Sequence, residues 1–121
     1  QTLKDIVVVL MIEKKTAVEN LEEILSVEGI DMIQWGPADY SMSIGQPGAH
    51  SRPDIKAVER KVIEAARAHG VHPRVEIEHM GQAQYYIDLG VRHFNLGIDI
   101  HILFNWWKKN GGELRKSLVN A

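Results

Sequence analysis

Ile30-Asp31-Met32-Ile33-Gln34-Trp35-Gly36-Pro37-Ala38-Asp39-Tyr40 reads as a strand that leaves a core and stops. Ile30 to Trp35 is a largely apolar run with the length of a buried strand. Gly36 and Pro37 break it, which leaves Asp39 on the loop beyond its C-terminal end. Glu13 closes an earlier run, Ile6 to Ile12, whose unbroken aliphatic character suits a strand covered on both faces. If the two runs are parallel neighbours, both carboxylates emerge on one edge of one sheet. That edge is where parallel α/β folds bind ligands. Two hard oxygen donors there suit a divalent cation. The same residues also suit an exposed strand end and an Asx-turn, and two acids alone do not separate these readings.

Working outward, Thr16 and Glu19 have the T-x-x-E spacing of a capping box. The helix they open carries Ala17, Val18, Leu21, Ile24 and Leu25 on one stripe, and Gly29 stops it. Beyond Trp35, a long loop rich in Gly, Ser and Pro is expected from Gly36 to about Arg52. Pro53 suits the first turn of a helix whose buried face is Ile55, Val58, Val62, Ile63 and Ala66. After Gly70, Val71 to Ile77 is a third strand, with Val75 and Ile77 on one side and Arg74, Glu76 and Glu78 on the other. A helix from about Gly81 to Leu89, a strand from Val91 to Leu96, and a last helix from Asp99 to just before Gly111-Gly112 complete the chain.

The order βαβαβαβα requires a parallel sheet with right-handed crossovers. Gly29 to Gly36 and Gly90 to Gly97 share one pattern, a helix-stop glycine, a strand and a strand-stop glycine. Their offset of 61 residues (90 minus 29) fits two βα units of ~30 residues each. A (β/α)₈ barrel needs about 250 residues, so residues 1–121 are expected to be four βα units, half of one. The run Ile6 to Ile12 is too apolar for an exposed edge and should pair with a missing N-terminal half or another chain.

Net charge is −2 with no basic patch, which argues against nucleic acid. The absence of cysteine excludes disulfides, thiolate metal sites and a cysteine nucleophile. The longest apolar run is too short to span a bilayer, and no signal-peptide pattern opens the sequence. A cytoplasmic protein without membrane partners is expected.

The segments Met11 to Leu21, Val27 to Asp31, Gly36 to Ser41, Tyr86 to Gly90 and Leu96 to Asp99 resemble the pyruvate-dependent class II aldolases. This is the 2,4-dihydroxyhept-2-ene-1,7-dioate aldolase and citrate lyase β-subunit family. The resemblance covers nearly the whole chain, as strands five to eight of a TIM barrel. Its most specific part is an I-E-x-x-x-A-V-E-N-L run followed by G-P-A-D, with the two acids 26 residues apart (39 minus 13). The resemblance implies that Glu13 and Asp39 hold Mg²⁺, Mn²⁺ or a similar ion. Gly36, Pro37, Ala38 and Asp39 would form the substrate cradle, with the Ala38 and Asp39 N–H groups holding the carboxylate of a 2-oxo acid. The implied reaction is cleavage of a 2-oxo-4-hydroxy acid to pyruvate and an aldehyde.

The sequence departs from the family pattern at Met11, where relatives have Gln, and at Tyr40, where they have Leu. The family's catalytic His and keto-binding Arg belong to the N-terminal half, so no catalytic residue is assigned here by resemblance. His79, after the third strand, is a candidate to reach the pocket, and His50 is a loop residue that can touch substrate or solvent. Arg74 is placed to pair with Glu76 and Glu78 if the sheet closes. Phe104, Trp106 and Trp107 crowd the last helix with aromatics, which suits an interface. A homo-oligomer formed through that helix, or pairing with a second half-barrel chain, is expected. Two rival functions stay open: an acyl-CoA lyase of the citrate lyase β type, and a non-catalytic half-barrel that binds a metal or metabolite.

Overall fold

The computed structural model describes residues 5–119. Four strands, β1 (Val9–Ile12), β2 (Met32–Trp35), β3 (His72–Ile77) and β4 (His93–Leu96), form one sheet in the order β1-β2-β3-β4. Every pairing is parallel, with Ile12 beside Trp35, Gln34 beside Arg74 and Val75 beside Phe94. The parallel α/β class expected from the alternation of elements is therefore the observed one. No described helix is long and apolar enough to cross a membrane.

The helices are α1 (Lys15–Glu19), α2 (Leu21–Leu25), α3 (Pro37–Ser43), α4 (Pro53–Ala68), α5 (Ala83–Asp88) and α6 (Asp99–Val119), with a 3₁₀ turn at Met80–Gln82 before α5. Alternation along the strands sends Ile12, Ile33 and Trp35 to the helix side, where they pack with Leu21, Leu25, Ile55 and Val62. Val75 and Ile77 do the same against Ile63, Ala83 and Tyr86. Pro53 occupies the first turn of α4, where its missing N–H costs nothing. The turn into β4 depends on Gly90, whose φ of +85° suits glycine. The Arg67 guanidinium lies directly over it and donates to Leu89 O at 3.0 Å.

Four expectations about the helices and loops are corrected. The Thr16–Glu19 capping box does not form, because α1 starts at Lys15 with Lys14 as N-cap and no side-chain cap bond. The Lys15 N–H instead donates to Ser43 Oγ at 2.9 Å, so α3 supplies the cap. The expected helix is also split at Asn20, whose side-chain amide donates to Thr16 O and competes with the backbone. The loop from Gly36 to Arg52 contains α3, stabilised by burial of Tyr40 against Trp35 with ring centroids 4.8 Å apart. The last helix does not stop at Gly111-Gly112 but runs on to Val119, because Glu113-Leu114-Arg115-Lys116 are good helix formers and offset the cost of two glycines.

Strand β1 starts at Val9 rather than Ile6, and it is not covered on both faces. Val9 and Met11 are exposed, because no described strand lies beyond β1. The sheet face opposite the helices carries Met11, Gln34, Arg74 and Asn95. There Arg74 donates to Asn95 Oδ1 at 2.6 Å, and Asn95 Nδ2 donates to Glu76. In the open sheet Arg74 thus reaches Glu76 through Asn95 rather than directly.

Candidate functional site

The parallel register fixes where the two acids emerge. The Gly36 N–H donates to Ile12 O at 3.1 Å, which carries the β1–β2 ladder one step past the strand ends. Glu13 therefore lies directly against Gly36. A Cβ built on Gly36 would sit 2.7 Å from Glu13 Cβ and 3.2 Å from its Oε2. Only the absence of a side chain at Gly36 lets the Glu13 carboxylate occupy that space.

Asp39 lies in the first turn of α3, which Gly36 caps and Pro37 opens. The Tyr40 N–H reaches back to Gly36 O at 2.9 Å and is the first in the turn to find a helical acceptor. The N–H groups of Ala38 and Asp39 precede it and have no acceptor within the helix. Pro37 has no N–H to offer. Ser41 Oγ donates to Ala38 O at 2.7 Å and tightens the turn from within.

A cleft of about 470 Å³ opens at this edge, and Gly36, Pro37, Ala38 and Asp39 all line it. His50 lines it as well. Glu13 is not on its wall, since its side chain is occupied with Gly36 and the neighbouring Met11 lines the cleft instead. His79 is not on the wall either: it precedes the 3₁₀ turn with its ring folded toward Gly81. Gln82 lines the cleft in its place and accepts the N–H groups of Glu78 and His79 through Oε1. Among the described residues, no three His, Cys, Asp or Glu side chains gather as a metal-binding group. Glu13 and Asp39 follow the ends of the adjacent strands β1 and β2, Glu13 against Gly36 and Asp39 on the cleft wall.

Several cleft residues escaped the sequence reading, among them Glu59 with its partners Lys56 and Tyr86. Glu59, on α4, is buried at 3% exposure among apolar neighbours. Its carboxylate accepts from Lys56 Nζ at 2.7 Å and from the Tyr86 hydroxyl at 3.0 Å, while Lys56 also donates to Tyr86 Oη at 3.0 Å. The signal was present: Glu59 lies four residues after Ile55 and three before Val62, on the apolar stripe itself. Gln34 and Trp35 also line the cleft, and Gln34 Oε1 and Trp35 Nε1 are buried without a partner among the described residues.

The triad shifts its own titrations. Partial burial works against the Lys56 ammonium, but its hydrogen bonds to Glu59 and Tyr86 and the charge of Glu59 outweigh that and hold its pKa above the usual lysine value. Burial pushes the Tyr86 phenol up, and the Lys56 ammonium offsets this only in part. Both folded-state values are raised, so both groups bind their protons more tightly in the folded chain. Their stabilising contribution is complete below the unfolded values and is lost as pH rises through the folded ones. Thermal melts should therefore hold up to about pH 10, near the ordinary Tyr and Lys values, and fall above it. A Tyr86→Phe, Lys56→Met, Glu59→Gln variant whose melting point falls as steeply there would sink this assignment.

A parallel α/β sheet with a cleft at the C-terminal ends of its strands has that cleft on the edge where such folds bind ligands. Comparison with known proteins narrows the class. The profile of the HpcH/HpaI aldolase/citrate lyase family matches residues 1–105, and the chain belongs to that family. It is 34% identical over 96 residues to a 4-hydroxy-2-oxo-heptane-1,7-dioate aldolase of Escherichia coli, covering 79% of this chain and 37% of that protein. It is 36% identical over 97 residues to a hydroxypyruvate/pyruvate aldolase of Roseobacter denitrificans, covering 80% of this chain and 38% of that protein. Among solved structures, citrate synthase SbnG superposes with a TM-score of 0.89 at 27% identity, over 94% of this chain and 46% of that one. An HpcH/HpaI aldolase from Desulfitobacterium hafniense DCB-2 gives 0.84 at 25% identity, over 92% and 43%. The chain thus spans well under half the length of the curated relatives it matches.

Proposed function

We propose that this chain forms the C-terminal four βα units of a (β/α)₈ barrel that cleaves a 2-oxo-4-hydroxy acid to pyruvate and an aldehyde with a divalent metal. The observation that carries the reading is the strand edge at which Glu13 packs against Gly36 while Gly36 and Asp39 line a cleft. The aldolase names of the relatives support the same chemistry. The open sheet face with Met11, Gln34 and Arg74 supports closure by a complementary half.

In this reading Glu13 and Asp39 hold the cation, Mg²⁺ or Mn²⁺. When bound, the ion supplies Lewis-acid stabilisation of the negative charge that develops as the carbon–carbon bond breaks. The Ala38 and Asp39 N–H groups bind the carboxylate of the 2-oxo acid, aided by the positive end of α3. Pro37 fixes the backbone at the turn so that these donors are already oriented. Gly36 keeps the Glu13 carboxylate close to them. The acid–base His and the keto-binding Arg would come from the complementary half, as the family resemblance implies. A cytoplasmic location belongs to the same proposal. The test is pyruvate release from a 4-hydroxy-2-oxo acid by the full-length protein. Release that survives complete chelation would overturn it.

The partner surface is α6, none of whose residues is buried. Ile100, Leu103, Phe104 and Trp107 expose large apolar side chains, more than an unpartnered helix carries. A second copy of the chain is the proposed cover. Phe104→Glu with Trp107→Glu should shift the sedimentation mass of the full-length protein toward the monomer. An unchanged mass would remove α6 from the interface.

A further inference from the structure

We propose that His72 and His93, with Met32 beside them, form a site for a soft monovalent metal ion, Cu⁺, at the end of the sheet opposite the cleft. Met32, His72 and His93 are the first residues of β2, β3 and β4. Ile33, Val71 and Phe94, next to them in the chain, pack on the helix side. Alternation therefore turns Met32, His72 and His93 to the open face. The two imidazole rings lie with centroids 5.2 Å apart, and Met32 is the ladder partner of His72. Neither ring makes a hydrogen bond or ion pair among the described residues, whereas His69 and His101 each meet a glutamate. Five residue steps of ~3.3 Å along β3 put the pair roughly 16 Å from the cleft end, so it is independent of the function proposed there.

Metal–imidazole bonds of ~2.0 Å put an ion roughly 3 Å from each ring centre. Two rings 5.2 Å apart can then share one ion at an angle of about 110°, which suits three- or four-fold coordination. The rings meet edge to face at 63°. One must turn about χ2 to aim its nitrogen, and that torsion is broad in histidine. The Met32 thioether is flexible and polarisable, and it approaches the third position from β2. Two imidazoles and a thioether are a neutral donor set, and thioether sulfur selects Cu⁺ over harder ions. Local charge points the same way. Arg74 is the ladder partner of His93, and its guanidinium donates to Asn95 Oδ1 at 2.6 Å, toward the other end of the strands. Repulsion from that charge scales with the charge of the ion, so a divalent ion suffers twice what a monovalent one does. Glu76, the acid on this face of β3, lies beyond Arg74 and is held by Asn95. No strand carboxylate on this face is therefore placed to offset the second charge of a divalent ion at the histidines.

The test is anaerobic competition for Cu⁺ between the full-length protein and the chromophoric chelator bicinchoninate, a readout that needs no turnover. The wild type should withdraw one equivalent that His72→Asn with His93→Asn, shown to be folded by its melt, does not. Each single histidine variant should weaken binding about tenfold or more, the loss that metal sites show even when only a ligand's support is removed; these variants decide the matter should the double one fail to fold. X-ray absorption of the copper-loaded wild type should show sulfur beside nitrogen around the ion, and Met32→Leu should remove the sulfur. Zn²⁺ at equal concentration should displace little of the Cu⁺. A wild type that leaves all Cu⁺ on the chelator overturns the proposal, as does an equivalent retained in the folded histidine variants. Sulfur that survives Met32→Leu removes Met32 from the site. Asp39→Asn should leave the Cu⁺ equivalent in place, and its loss there would move the ion to the cleft and overturn the assignment to the histidines.

Discussion

Asp39→Asn should lower metal-dependent pyruvate formation by roughly a hundredfold or more, the scale on which removing one preorganised charge-stabilising group acts. The substitution keeps the size of the side chain and removes the charge proposed to pair with the cation. Stability should barely change. The Asp39 side chain makes no hydrogen bond or ion pair among the described residues, and it lies on the cleft wall rather than in the core. Its one structural contribution is a negative charge near the N-terminus of α3, worth about 0.3–1 kcal/mol. Turnover should therefore collapse while the melting curve stays nearly in place. Mn²⁺ titration gives a second readout, with affinity falling alongside turnover. Equal rates in mutant and wild type would sink the metal assignment, and a large loss of stability would mean that Asp39 does structural work not visible in its contacts.

Gly36→Ala should damage both stability and metal affinity, for a reason unrelated to backbone strain. The φ of −109° at Gly36 is open to alanine. Space is the obstacle, since the new methyl would lie 2.7 Å from Glu13 Cβ. That atom is tied to the β1 backbone and cannot swing aside as a side-chain tip can. Either the end of β1 moves off β2 or Glu13 shifts as a whole. Overpacking of this kind costs about 1–3 kcal/mol. A Glu13 carboxylate displaced by even 1 Å would lose its place in the cation site proposed for it and Asp39. Mn²⁺ affinity should fall about tenfold or more, on the scale seen when the support of a metal ligand is lost. A wild-type melt together with wild-type Mn²⁺ binding would show that β1 and β2 do not approach as closely as the geometry states.

The two predictions differ in how far the sequence alone foretells them. Asp39 stands out in the chain because Gly36-Pro37 ends a strand just before it, and strand ends are punctuated locally. Gly36 looks in the chain like any strand-stop glycine. Its tight fit with Glu13 exists only once β1 and β2 pair in one register, bringing together residues that are distant in sequence. His79 illustrates the reverse. Position after β3 made it a pocket candidate, but the turn that follows folds its ring toward Gly81 and puts Gln82 on the cleft.

Alternating apolar runs and glycine stops, which are properties of neighbouring residues, were enough to determine the four βα units, their parallel sheet and the edge from which Glu13 and Asp39 emerge. Tertiary structure alone decided the rest. It placed α3 inside an apparent loop, because Tyr40 finds Trp35 to pack on. It capped α1 with Ser43 instead of Thr16, because β1 and β2 lie side by side and bring the following segments together. It joined Lys56 and Glu59 to Tyr86, 30 and 27 residues away along the chain. A buried carboxylate must find a cation and a donor wherever the fold can bring them, and local periodicity carries no record of which distant residues those will be.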